Sequence, residues 1–348
     1  MCLVSHDGPL FPWPPGSATG IGSMPGTDPA EAIKVVLGEV PELPYLPELP
    51  GRGPGADIVG RTSALLVDMP VQTTVAGWRL AERPGRDLRR AAGLLSADLD
   101  AMEAAAEGLD GAVKIQICGP WTLAAALELS RSLEPALADQ GAVADLIGSL
   151  TEGVAGHVAQ VRGRLPRAAV IVQLDEPALP GVLAGSVPTA SGLRRLAPVD
   201  ESVAADALRR VLSAAQAPTV LHCCAPEVPF SCITRSGAGA VAFDLGLVGP
   251  ADEDAIGAAA EAGLGMFAGA VDARSPAAGE PEPAMRTARS VIALWQRIGL
   301  PLGRLSEQLV VTPACGLASA SPAMARAVLR RCREAARLLP EVIEEGTR

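Results

Sequence analysis

From Ala112 onward the chain repeats one rhythm, a short β-rich run followed by a helical stretch. The runs are Ala112–Ile117, Ala169–Leu174, Thr219–His222, Ala240–Phe243, Gly265–Ala270 and Gln308–Thr312. Apolar residues at helical spacing fill Glu201–Gln216, Ala251–Ala262, Met285–Ile298 and Pro322–Leu338. Strands that alternate with crossover helices are parallel and covered on both faces. Two extended pieces, Thr19–Ser23 and Leu43–Leu46, come earlier and bring the strands to eight. The expectation is an α/β chain folded as a (β/α)₈ TIM barrel, in a single domain. The alternative is an open doubly wound sheet, but no G-x-G-x-x-G follows a strand. Residues 1–17 are Pro-rich and read as a flexible tail, with the barrel over 18–348. Asp28-Pro29-Ala-Glu31 opens a helix that runs to about Val40, with an N-cap, a first-turn Pro and a capping partner. A helical insertion is expected at about 49–110, because Arg61 to Ala106 is too long for an ordinary connection.

A barrel gathers its chemistry at the C-terminal ends of its strands. Here those ends are Gly22-Ser23, Glu48, Cys118-Gly-Pro-Trp121, Asp175-Glu176-Pro177, His222-Cys223-Cys224, Asp244, Asp272 and Cys315. His222 and Cys224 are two apart and so share a side of an extended backbone. An imidazole and a thiolate so placed make half of a zinc site, and Cys315 is the best candidate for a further ligand. Cysteine also packs as a plain buried side chain, so the pair gains its meaning from the other strand ends that converge on it. A zinc site of this kind with an exchangeable position deprotonates an incoming thiol, which suits alkyl transfer to sulfur. Asp175, ending an apolar strand, can hold a substrate ammonium or cap a helix. Gly22-Ser23 can offer N–H groups and a hydroxyl to a carboxylate or form a simple tight turn.

Composition narrows the partners. Hydrophobic residues make up 49% of the 348, ample for a core, yet charge, Gly or Pro breaks every apolar run short of a membrane span. No basic and then apolar leader is read at the N-terminus, and an odd count of mostly apolar-flanked cysteines fits a reducing interior, so the expectation is a cytoplasmic protein off the membrane. A net charge of −10 and 3% aromatics argue against nucleic acid as a partner. Seven cysteines in a chain of this length without a leader are not a disulfide framework.

Taken together, Ile21-Gly-Ser-Met-Pro25, Gln173-Leu-Asp-Glu-Pro-Ala178, His222-Cys-Cys224, Phe243-Asp244, Asp272-Ala-Arg-Ser-Pro276 and Pro313-Ala-Cys-Gly316 resemble the C-terminal catalytic barrel of cobalamin-independent methionine synthase, in the same order, from about Thr19 to about Leu338. The resemblance implies methyl transfer to the thiol of homocysteine, with Zn²⁺ as cofactor held by His222, Cys224 and Cys315. It also implies the substrate amino group near Asp175, with Glu48 as a second acid, and the carboxylate near Ile21, Gly22 and Ser23. Asp244 stands where the family has a glutamate as the fourth zinc ligand, and is one methylene shorter. Arg274 stands where the family has a histidine that protonates the leaving nitrogen of methyl-folate, and a guanidinium is no ordinary proton donor. The chain also lacks a counterpart of the family's N-terminal, folate-binding barrel. The donor is therefore methyl-tetrahydrofolate or, as these departures favour, a methylated corrinoid protein.

Three other readings compete. A thiol-alkyltransferase of the coenzyme M type shares the metal set, but a sulfonate substrate wants arginine where Asp175 and Glu176 stand. A metal-free decarboxylase of the same superfamily leaves His222, Cys224 and Cys315 without purpose, and a non-catalytic zinc protein would fill every position on the metal. Arg274 and Ala277–Pro283 read as a loop over the site.

Overall fold

A computed structural model describes residues 11–273 and 283–346. Six strands form one parallel sheet in chain order: β3 (Ala112–Cys118), β5 (Ala169–Asp175), β6 (Thr219–Cys223), β7 (Ala240–Asp244), β8 (Gly265–Val271) and β9 (Leu309–Pro313). Each matches its sequence-read run to within a residue or so. Almost every strand residue is buried, as it must be when helices cover one face and a packed interior the other. The register sets Cys118 beside Asp175, Asp175 beside His222 and Cys223 beside Phe243. The chemically useful strand ends are thereby brought to one rim.

The expected eight strands are thus six plus two segments that are not strands. Residues 17–24 and 44–48 join the sheet only through isolated parallel bridges, Ala18 to Val311, Ser23 to Glu48 and Tyr45 to Lys114. Thr19 N donates to Val311 O at 3.1 Å, Glu48 N to Gly22 O at 3.0 Å and Leu46 N to Lys114 O at 2.9 Å. The cause is in the residues: Pro44, Pro47 and Pro50 carry no N–H for a ladder. Gly20 has its own reason, since a Cβ there would stand 2.3 Å from the Tyr45 ring.

The helices largely follow the sequence. Asp28 Oδ1 accepts from Ala30 N at 2.9 Å and starts α1 (Pro29–Glu39). The segment after it carries α2 (Ile58–Ser63), a hairpin of β1 (Val71–Thr73) and β2 (Trp78–Leu80), and α3 (Arg86–Ala105). The hairpin was not legible as strand because its residues are mixed polar and short. After β3, helix α4 (Pro120–Ala126) leads to β4 (Leu127–Glu128), which pairs with β2. Then come α5 (Gln140–Arg164), α6 (Leu179–Leu183), α7 (Glu201–Ala214), α8 (Phe230–Arg235), α9 (Pro250–Glu261), α10 (Ala284–Arg297), α11 (Leu305–Gln308) and α12 (Pro322–Gly346). Among the described residues no helix is long and apolar enough to cross a membrane.

The tail departs from expectation in its described part, residues 11–17. Trp13 is buried under the sheet's N-terminal end, edge-on to Phe267 at 5.0 Å, and its Nε1 donates to Glu307 O at 3.1 Å. Gly265 leaves the room for it, since a Cβ there would meet the indole at 2.5 Å. An indole that covers the strand starts and satisfies its N–H is a plug rather than a loose end.

Candidate functional site

At the C-terminal ends of the strands lies a cleft of about 280 Å³. Its walls include Ile21, Gly22, Ser23, Glu48, Asp175, His222, Cys224 and Cys315, which the sequence reading had placed together. Pro50, Asp57 and Ile58 close it from the side of the 49–110 segment, and that contribution was not foreseen. Leu317 N donates to Ser23 O at 2.9 Å, tying the loop after β9 to the first segment. Gly316 permits the approach, since a Cβ there would stand 2.2 Å from Ser23 Oγ.

His222 sits 2.7 Å, Nδ1 to Oδ1, from Asp175, and Asp175 Oδ1 also accepts from Gln173 Nε2 at 2.6 Å. With Asp175 as acceptor, Nδ1 carries the proton and Nε2 keeps its lone pair, a tautomer assigned from this contact. Nε2 is buried and has no hydrogen-bond partner among the described residues. The Cys315 thiol donates to Cys224 Sγ at 3.3 Å. That contact and then burial raise the Cys224 thiol well above its usual range, so it stays protonated without a cation beside it.

These residues fit a zinc ion in kind. An aimed, orphaned imidazole nitrogen and two adjacent sulfurs are zinc donors, and an imidazole backed by a carboxylate is the usual outer arrangement. They are not gathered at coordination distances: among the described residues no group of three or more His, Cys, Asp or Glu is set to hold a metal. Two thiolates at about 2.3 Å from a tetrahedral zinc stand about 3.8 Å apart, so the sulfurs must part by roughly half an ångström. Asp244 does not line the cleft; it is buried, and its Oδ1 accepts from Gly246 N at 2.9 Å at the start of a short 3₁₀ turn. Arg274 and most of the expected loop over the site lie outside the described residues.

Beneath the cleft is a polar layer that sequence reading missed. Lys114 is fully buried in β3; its Nζ donates to Ile21 O at 2.9 Å and Gln116 Oε1 at 3.1 Å, 5.2 Å from the Tyr45 ring centre. Gln173 Nε2 also reaches Ile21 O at 2.9 Å, and Gln116 Nε2 reaches Leu46 O at 2.7 Å. Burial lowers Lys114 to about 7, against the opposing pull of Asp175 and Glu48. Burial raises Glu48 to about 7, with Arg61 the main opposing influence. The available signal was a lysine inside a mostly apolar strand, in a chain where Lys34 is the only other lysine.

Glu176 faces away from Asp175, as neighbours on a strand do. Its carboxylate accepts from Trp121 N at 2.9 Å and from Thr122 N and Oγ1, each at 2.7 Å, at the start of α4. It therefore serves a helix end, and Asp175 alone of the pair faces the cleft.

The description "Cobalamin-independent synthase, Catalytic domain" belongs to the family model that matches residues 16–338. Among solved structures, a B12-independent methionine synthase from Shewanella sp. W3-18-1, in complex with selenomethionine, superposes with a TM-score of 0.63 at 11% identity, over 95% of this chain and 100% of that one. The carboxyl transferase domain of Rhizobium etli pyruvate carboxylase reaches only 0.25 at 12% identity, over 68% of this chain and 43% of that one, and carries no argument. No curated protein matches the chain.

Proposed function

Because the chain belongs to the family of cobalamin-independent synthase catalytic domains, we propose that it is a zinc-dependent methyltransferase that converts homocysteine to methionine. One observation carries the reading: His222, Cys224 and Cys315 line one cleft with Glu48, Asp175 and Ser23, and His222 Nε2 is buried there without a hydrogen-bond partner among the described residues. His222, Cys224 and Cys315 would hold the zinc, and Asp244 is the candidate fourth ligand once it leaves Gly246. Zinc, when bound, supplies a site where a thiol loses its proton at neutral pH.

The chain's own groups do the rest. Asp175 holds the His222 ring in one tautomer. Glu48 and Asp175 offer carboxylates to the substrate ammonium. Ser23 and the backbone of Ile21 and Gly22 receive the substrate carboxylate, on an extended segment that Lys114 and Gln173 pin through Ile21 O. In this reading the isolated bridges are the first two strands of a closed (β/α)₈ barrel, which their parallel sense supports. The donor is methyl-tetrahydrofolate or a methylated corrinoid protein. Arg274, in a position where protonation of a leaving nitrogen would need an acid, supports the corrinoid. The free thiols support a reducing cytoplasm.

Zinc analysis with X-ray absorption tests the core of this reading. One zinc per chain is expected, with one more sulfur neighbour after homocysteine is added. No zinc, or a first shell indifferent to the thiol, overturns it. Turnover of methyl-tetrahydrofolate and homocysteine by the purified protein without corrinoid would exclude the corrinoid donor alone.

A further inference from the structure

Glu48 stands at the end of a buried chain of charges that reaches into the 49–110 segment. Asp98, on α3 and 1% exposed, takes Arg52 through Nη1–Oδ1 at 2.7 Å and Nη2–Oδ2 at 2.8 Å. It also takes Nη1 of Arg61, which lies on α2 and is 4% exposed. With that end of its guanidinium committed, Arg61 presents Nε to Glu48 Oε1 at 3.9 Å. That distance lies outside hydrogen bonding and inside electrostatic reach. Lys114, the other cation near Glu48, turns two of its three donors to Ile21 O and Gln116 Oε1. Glu48 Oε1 is left buried, with charge support and without a hydrogen-bond donor among the described residues. A buried carboxylate oxygen in that state is costly until a ligand donates to it.

We propose that Asp98 and Arg61 are positioning residues that keep Glu48 open for an ammonium, so that the 49–110 segment makes the site selective for amino-acid thiols. The inference rests on the methyltransferase reading above. Asp98 holds the guanidinium back. Released, Arg61 can close on Glu48 as a two-point pair and take the place meant for the ligand. Without Arg61, Glu48 loses the cation that compensates its burial beside Asp175, and the carboxyl keeps a proton. The two losses reach one result by opposite routes. Lysine at position 61 carries the charge but has no fork to grip Asp98 while facing Glu48.

Calorimetric titration of the zinc-loaded protein reads this directly, with homocysteine and with 4-sulfanylbutanoate, which keeps thiol and carboxylate but lacks the ammonium. The parent is expected to favour homocysteine by at least about tenfold, the scale of one charge-assisted contact. Asp98→Asn should lose most of that preference while holding 4-sulfanylbutanoate within about twofold. Arg61→Lys, which leaves the buried charge count unchanged, should lose it as well and decides the matter if Asp98→Asn does not fold. Equal weakening of both thiols, or an intact preference in a folded variant, overturns the proposal and leaves the methyltransferase reading standing. A parent that binds neither thiol removes both.

Discussion

At the scale of single residues, the site trades stability for binding. Burial raises Glu48 to about 7 from the ordinary 4.5. The folded protein therefore binds a proton there that the unfolded chain has lost between those values, and stability falls as pH rises through the window. Ligand binding runs the other way, because only the carboxylate pairs with an ammonium. Homocysteine affinity is expected to weaken as pH drops below about 7, approaching tenfold per unit. Titration with 4-sulfanylbutanoate controls for the thiol's own ionisation and should lack that step. Glu48→Gln should flatten the step and melt higher than the parent at pH 8, and an unchanged profile would dismiss Glu48 as the ammonium's partner. His222, Cys224 and Cys315 could be singled out because each ends an apolar run. Lys114, Arg61 and Asp98 could not, because a charged residue inside a strand or helix means something only once its distant partners are known. Arg61 meets a residue 37 positions away, and Lys114 one 93 away.

At the scale of elements, helix α4 is anchored by a side chain whose purpose sequence alone misassigns. Glu176 reads as half of an acidic substrate pair, yet it satisfies the first turn of α4 through three hydrogen bonds. Gly119 makes the fit, since a Cβ there would stand 2.3 Å from Glu176 Oε1. Glu176→Ala strands buried donors and should cost about 2–4 kcal/mol, seen as a lowered urea midpoint with an unchanged slope. Zinc content should stay at one per chain, and a variant of parental stability would refute the capping role. The strands were read well because parallel strands are buried on both faces and mostly apolar. The hairpin of β1 and β2 escaped because its strands are three residues each and only Val71 and Trp78 are buried, too little to write an apolar run.

At the scale of the whole molecule, the sheet is uneven. Strand β5 pairs with β3 along its whole length and with β6 from Val172 to Asp175, whereas residues 17–24 and 44–48 are held by isolated bridges. Amide hydrogen exchange should be fastest, among the inner segments, at Thr19, Met24, Leu46 and Glu48, and slowest in β5. Homocysteine should slow these amides more than those of β5, and uniform protection would contradict the assignment of the substrate to this seam. The rhythm of runs and helices made the sheet legible, but the seam depends on proline and glycine details that periodicity does not register. The seam also has a consequence in time. Trp13 meets Glu307 across 294 positions, and the segment bearing Ser23 waits for Val311 and Leu317. A chain emerging from the ribosome thus has residues 17–24 and 44–48 translated early, with the first of them left unassembled until the last strand arrives. Contacts of such long range form late and slowly. The open end of the sheet, at Val311, is therefore closed only once both ends of the chain are present.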